Sequence, residues 1–382
     1  MLGFRPGVVS VVLVNFRGAE DTIAAISHLG ALDWPQERLE IVVVENGSGD
    51  DSAERIRAAA PHVVLVVSKK NEGFAGGCNR GVAASYGEFV AFLNNDARPA
   101  ADWVSAAVDR FAESDDIGAV ASRVLDWEGK TVDYIGSAMT WFGMGYKPFT
   151  AEPIPKTPEV RSDVLFGTGS AMFVRRSVYD SLGGFDERFF MFFEDVDLGW
   201  RLNLRGWRFA YEPRSLAYHK HHASMDAFGS HAETYLLERN ALFTLYKNLE
   251  EKALLKAPPA TMALSVRRAV TRAGLDSGSY DLRVGGGGTD AAQPVSKQAV
   301  AALYAIDQFT EHLPGLTRDR AVVQASRKVS DVMLWRLFGV VDAPIYDAKK
   351  FLDGYAKIVS AFDVTEPRRG ARVLVVTGDP IG

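Results

Sequence analysis

Cysteine is almost missing from this chain: Cys78 is the only one in 382 residues. That excludes an intramolecular disulfide framework and a cysteine-rich zinc module, and it suits a reducing compartment. Long apolar runs are lacking too. Stretches such as Val11 to Val14 and Val63 to Val67 fall far short of the roughly 18 residues a membrane span needs, and no small-residue cleavage site follows the first. Nor is there a basic block. Forty-three Lys and Arg face 48 Asp and Glu, a formal charge of −5, so nothing would release counterions from a phosphate backbone and nucleic acid is not an expected partner. A small anionic ligand in a local pocket remains open. No internal repeat is found, and a hydrophobic content of 47% is enough for a full core.

What is present is an alternation. Residues 8 to 14 (VVSVVLV) form a β-branched apolar run, and the type recurs at Ile41 to Val44, Val63 to Val67 and Phe89 to Leu93. Strands buried on both faces have this composition. Between them, Ala19 to Leu32, Asp50 to Ala60 and Gly76 to Tyr86 carry apolar residues at helical spacing. The βαβαβ order predicts an α/β fold with a mostly parallel, Rossmann-like sheet whose ligand site lies beyond the carboxyl ends of the strands. Further on, Trp103 to Ala112 reads as a helix, Ile117 to Leu125 as a strand, and Phe149 to Val160, with four prolines, as an irregular loop. From Glu233 the spacing turns helical, with Gln298 to His312 and Arg327 to Val341 as two later amphipathic helices and Gly285 to Gly288 as a mobile loop between. The division expected is 1–232 for the α/β domain, 233–371 for a helical region and 372–382 for a strand-like tail. That tail reads equally as an edge strand or as the start of a further domain.

Several places concentrate chemistry. Glu45 follows one strand and Asp96 another, so a parallel sheet puts both at one edge, where a carboxylate can meet a nucleoside or hold a divalent cation; both also suit ordinary turns. Asn71 to Gly81 (NEGFAGGCNRG) has four glycines but fits neither a phosphate loop nor a dinucleotide fingerprint. Cys78 within it reads as a packing residue. The sharpest segment is Gly183 to Arg201 (GGFDERFFMFFEDVDLGWR). Asp197 with Arg201 is a helical i,i+4 pair, whereas adjacent Glu194 and Asp195 beside four phenylalanines suggest a carboxylate whose desolvation lifts its pKa toward that of a general base. His219, His221 and His222 cluster as a candidate metal site or a solvated surface. Trp141, Trp200 and Trp207 read as core, or as a platform for a sugar ring.

Taken in order, VSVVLVNF, VVVENGSGDD, NEGFAGGCNRG, FVAFLNNDARP, GTGSAMFVRR and GGFDERFFMFFEDVDLGWRLNLRGW with the following His resemble the family 2 glycosyltransferases, inverting enzymes with a GT-A fold. The resemblance covers residues 8 to 224 and is strongest toward bacterial rhamnosyl- and galactofuranosyltransferase-like members. It implies that Asn15, Phe16, Glu45, Asn71, Gly76, Asn79 and Asn95 bind a nucleoside-diphosphate sugar. It further implies that Asp96 and His219 hold Mg2+ or Mn2+, with His221 in reserve, that Asp195 is the base with Glu194 beside it, and that Gly169 and Trp207 meet the acceptor. A glycan or lipid-linked acceptor in cell-envelope polysaccharide synthesis, a cytoplasmic location and contact with the inner face of the plasma membrane follow from the same resemblance.

Two departures stand out. Asn94 occupies the place of the first acid in the family's DxD motif, leaving Asp96 as the sole carboxylate of Asn94-Asn95-Asp96, and Glu45 replaces the more usual Asp. The thinned motif keeps open a non-catalytic nucleotide-sugar or glycan-binding module of the same fold, although mere binding needs no base. In the helical region, Met333, Leu334, Trp335, Leu337 and Phe338 are apolar enough for core packing, a homo-oligomer contact or a membrane surface.

Overall fold

The computed structural model describes residues 4–155, 160–220, 229–274, 295–339, 341, 344, 346 and 348–363. The first half alternates as expected: β1 (Arg5–Asn15), α1 (Ala19–Leu29), β2 (Leu39–Glu45), α2 (Ser52–Ala59), β3 (Val64–Val67), α3 (Gly73–Ala83), β4 (Gly87–Leu93), β5 (Ala97–Pro99) and α4 (Trp103–Ala112). Then come β6 (Ile117–Asp126), β7 (Val132–Tyr134), β8 (Ala138–Met139), β9 (Gly145–Tyr146), β10 (Ser162–Asp163), β11 (Ala171–Arg175), α5 (Arg176–Leu182), α6 (Glu194–Leu204) and β12 (Arg208–His219). The remainder is helical: α7 (Ser230–Asn248), α8 (Glu251–Leu254), α9 (Ala257–Arg272), α10 (Lys297–Ala325), α11 (Asp331–Leu334) and α12 (Lys349–Phe362).

The main sheet runs β10-β12-β6-β11-β4-β1-β2-β3. Strands β3, β2, β1 and β4 are parallel, and so are β6 and β12. Between these two parallel groups, β11 lies antiparallel to both β4 and β6. Val9, Val11, Val12, Val42, Val43, Val90 and Phe92 are all but fully buried, because helices cover both faces of the sheet. Asn15, Glu45 and Leu93 therefore end their strands at one edge, and His219 joins them there through the antiparallel register of β12 with β5, which sets His219 opposite Ala97.

The helices beyond β12 pack onto part of the first half. Trp200 and Leu204 of α6, together with Phe166, Phe189 and Phe193, share one apolar core with Leu242 and Leu245 of α7, Phe309 of α10, and Trp335 and Phe338. Two expected helices differ from the sequence reading. The one beginning near Gln298 continues past His312 and through Pro314 to Ala325. The one expected over Arg327 to Val341 is broken: the amides of Lys328 and Val329 donate to Leu204 O, outside any helix of their own, and only Asp331–Leu334 forms an α-turn before a 3-10 segment. The ring of Phe338 then meets Trp200 edge-on and stacks on Trp335, so burial rather than helical periodicity spaced those aromatics. The glycines at 285–288, His221, His222 and residues 372–382 lie outside the described residues.

Candidate active site

The rim beside β1 and β2 is built by side chains that bond to neighbouring loops. Asn15 Oδ1 accepts from the Gly18 amide at 3.2 Å and the Thr22 hydroxyl at 2.9 Å, and Asn15 Nδ2 donates to Ser48 Oγ at 3.4 Å. Buried Glu45 accepts from the Ser48 amide at 2.8 Å, and Asn95 Nδ2 donates to Thr22 Oγ1 at 3.2 Å. Asn15, Glu45 and Asn95 thus meet around one wall, with half-buried Phe16 beside them under the Arg17 guanidinium. Gly47 lets this wall close. Its φ is +70°, and a Cβ there would lie 2.3 Å from the Lys70 carbonyl carbon. Asn46, which the motif reading passed over, fastens the next loop by donating to Gly73 O at 2.9 Å and to Asn71 Oδ1 at 3.2 Å. Asn71 Oδ1 also accepts from the Gly73 amide.

Gly76 and Asn79 sit farther along α3. Asn79 Oδ1 accepts from the Tyr179 hydroxyl at 2.6 Å and the Phe185 amide at 3.1 Å, so its side chain ties α3 to the segment after α5. Gly76 backs onto Glu72, and Cys78 is buried, its thiol pushed well up by desolvation and the nearby Glu194 carboxyl.

The opposite flank centres on His219. Its Nε2 lies 3.1 Å from Asp96 Oδ1 and 3.1 Å from Asn94 Nδ2, and its Nδ1 lies 2.8 Å from Asp133 Oδ2. Lys147 Nζ donates to the other oxygen of Asp133 at 2.5 Å. Burial works against the charged imidazole, but the bonds to Asp133 and Asp96 outweigh it and push His219 up to about 9. Asp96 and Asp133 are likewise buried and likewise held below the usual carboxylate range by His219, with Lys147 adding to the effect at Asp133. Asp133 and Lys147 were not apparent in the sequence. An acid inside Val132–Tyr134 and a lysine in an irregular stretch carry no spacing, and only the pairing of β7 on β6 brings Asp133 to the edge.

Glu194 and Asp195 open α6 after a backbone that L-residues seldom adopt: φ is 64°, 66° and 70° at Phe190, Phe192 and Phe193. Asn240 of α7, fully buried, holds this loop by donating to the carbonyls of Phe189, Met191 and Phe192 at 3.1, 2.9 and 2.7 Å. Gly73 allows the close approach, since a Cβ there would lie 2.2 Å from Phe190 O. Half-buried Asp195 accepts from the amides of Gly169 at 3.0 Å and Val196 at 2.8 Å. Desolvation raises its pKa, while those amides and the charge of Lys147 pull back. Glu194 is buried, one carboxyl oxygen has no partner among the described residues, and desolvation and Asp195 lift it well above the usual range. Asp197 takes the structural part, bonded to Arg201 at 2.7 Å, Lys247 at 3.0 Å and Asn248 at 3.0 Å.

The two flanks converge. Gly169 binds Asp195, its neighbour Ser170 accepts from the Asn94 amide, and Lys147 reaches Asp133 while its charge acts on Asp195. Trp207 does not join them. It precedes β12 and packs against Gly118 and Leu202 at the amino end, and the steps of β6 from Ile117 to Asp126 that β12 spans, at about 3.3 Å each, put it roughly 30 Å from His219. Trp207 is half-buried in that apolar contact, apart from the residues gathered around His219.

A mostly parallel sheet flanked by helices is the GT-A fold of glycosyltransferases. The crystal structure of GalNAc-T7 with UDP, GalNAc and Mn2+ shares it, with a TM-score of 0.53 and 16% identity over 66% of this chain and 51% of that one. Residues 10–183 match the model of glycosyl transferase family 2, and the chain is a glycosyltransferase. The N-acetylglucosaminyl-diphospho-decaprenol L-rhamnosyltransferase of Mycobacterium tuberculosis is 27% identical over 220 residues, 51% of this chain and 72% of its own length. O-antigen biosynthesis protein RfbC of Myxococcus xanthus is 34% identical over 153 residues, 37% of this chain and 12% of the relative.

Proposed function

We propose that this chain is a cation-assisted inverting glycosyltransferase. It moves a sugar from a nucleoside diphosphate to a hydroxyl of a glycan or lipid-linked acceptor in cell-envelope polysaccharide synthesis. The observation that carries the reading is that half-buried Asp195 is linked to the Asp96–His219 pair through Gly169, Ser170 and Asn94 and through Lys147 and Asp133. The substrate class also draws on relatives whose names specify rhamnosyl transfer to a diphospho-decaprenol-linked sugar and O-antigen synthesis.

The residues fit a divalent cation held jointly with its substrate. Among the described residues no cluster of three or more His, Cys, Asp or Glu is set to enclose a metal. Mg2+ and Mn2+ at phosphate sites commonly use one or two protein ligands and leave the rest to phosphate and water, which matches a buried carboxylate beside an imidazole nitrogen. Asp96 and His219 Nε2 would hold the cation, which, when bound, supplies Lewis-acid neutralisation of charge on the departing diphosphate. The Nε2 proton of His219 must leave for that nitrogen to ligate.

Asp195 removes the acceptor's hydroxyl proton onto a carboxylate oxygen as the acceptor oxygen attacks the anomeric carbon. The bond from that carbon to the diphosphate oxygen breaks, the nucleoside diphosphate departs, and one displacement from the opposite face inverts the anomeric centre. Asn15, Glu45, Asn71 and Asn95 shape the donor wall, and the Gly169 amide aims the base. No helix among the described residues is long and apolar enough to cross a membrane, so a lipid-linked acceptor would be met at a surface.

The test is incubation with a panel of nucleoside-diphosphate sugars and candidate acceptors, with and without a chelator, reading nucleoside diphosphate release and the product's anomeric configuration by NMR. An inverted product whose formation stops on chelation is expected. A retained configuration contradicts the mechanism, and donor binding without turnover favours the non-catalytic binding module.

A further inference from the structure

His219 can contribute an electron pair only if one ring nitrogen is free of a proton, and which nitrogen that is depends on what the other one binds. Asp133 decides it here. It is 3% exposed, its Oδ2 faces Nδ1 at 2.8 Å, and its Oδ1 takes the Lys147 ammonium at 2.5 Å. A carboxylate cannot donate, so the proton between Asp133 and the ring stays on Nδ1, and Nε2 is left facing Asp96 and the amide of Asn94.

We infer that Asp133 is a positioning residue for the cation side of the site: by engaging Nδ1 it holds the His219 ring in the orientation that turns Nε2 toward Asp96, where it could ligate a divalent metal. Lys147 completes the arrangement by occupying the second oxygen, which prevents the carboxyl from rotating away from the ring. This rests on the reading of Asp96 and His219 as the cation-holding pair, and it adds a residue that lies outside every motif of the sequence. The thinned Asn94-Asn95-Asp96 triplet gives it weight. With one carboxylate in place of two, a larger share of metal affinity falls on the imidazole, and therefore on whatever holds the imidazole in place.

The experiment measures Mn2+ binding by EPR to the full chain, alone and with UDP, GDP or dTDP, for wild type and for Asp133→Ala, Asp133→Asn and His219→Ala. Loss of a hydrogen-bonded partner to a ligating histidine typically costs 10–100-fold in metal affinity, so Asp133→Ala should weaken Mn2+ by about that factor. Asp133→Asn keeps an acceptor for Nδ1–H and should lose less, and it carries the test if the alanine variant fails to fold. A merely structural ion pair would lower the melting temperature of both variants and leave Mn2+ affinity where it was; that result overturns the inference. Should His219→Ala bind Mn2+ like wild type, the cation-site reading itself falls, whereas loss in His219→Ala with none in either Asp133 variant sinks only the role of Asp133.

Discussion

Glu194 and Asp195 are neighbours in sequence but not in environment. Glu194 has an oxygen with no partner among the described residues, whereas Asp195 accepts two amide hydrogens and feels the charge of Lys147. Pairs of carboxyls pushed apart in this way divide roles, one retaining a proton and the other losing it. Asp195 works as a base only when ionised. Because its pKa is raised, transfer should climb with pH through that elevated value and fall away below it. The other groups acting on it are Glu194, whose ionisation opposes its own, and the amides of Gly169 and Val196. Lys147→Met removes a cation pulling the pKa down, so the acid limb of the kcat profile should move to higher pH; an unmoved limb argues that Lys147 serves Asp133 alone. The acids at 194 and 195 were legible because two adjacent carboxylates amid phenylalanines need explaining. Lys147 was not, since a lysine between glycine- and proline-rich stretches reads as solvated surface.

At the scale of elements, the start of α6 is held from outside. Three phenylalanines with positive φ cost of order 1–3 kcal/mol each and persist only where their surroundings impose the conformation. Asn240 imposes it through three carbonyls, and Arg239 adds bonds to the carbonyls of Arg188 and Phe189. Asn240→Ala leaves those buried carbonyls short of donors and should cost about 1–3 kcal/mol in urea unfolding. It should also lower kcat more than it weakens donor binding, because the base shifts while the β1–β2 rim stays. Equal loss in both would show that the loop and the rim are not independent. The parallel strands were legible from β-branched runs, since composition follows burial on both faces. The left-handed FFMFF loop was not, because its conformation is set by a helix some fifty positions later. The same holds for Arg327 to Val341, whose aromatics suggested a helix although Leu204 binds the backbone amides that a helix would need.

At the scale of the molecule, the α/β sheet supplies the proposed donor wall and the proposed cation flank, while the helical region props the loop that carries the proposed base. The common core of Trp200, Phe189, Phe243 and Phe338 makes that support continuous. The seven motif blocks placed the first half of this arrangement in the sequence. They were silent on the second, since a supporting helix needs only shape and a few amides, which leave no spacing to read. The central claim is that one pocket binds the donor on one flank and takes the acceptor's proton on the other. Nucleoside diphosphate release by wild type and Asp195→Asn, each shown by calorimetry to bind the same donor with Mn2+, tests it most directly. The account predicts equal donor affinity with turnover lower by about 10²–10⁴-fold in the variant. Equal turnover in the two proteins would contradict it.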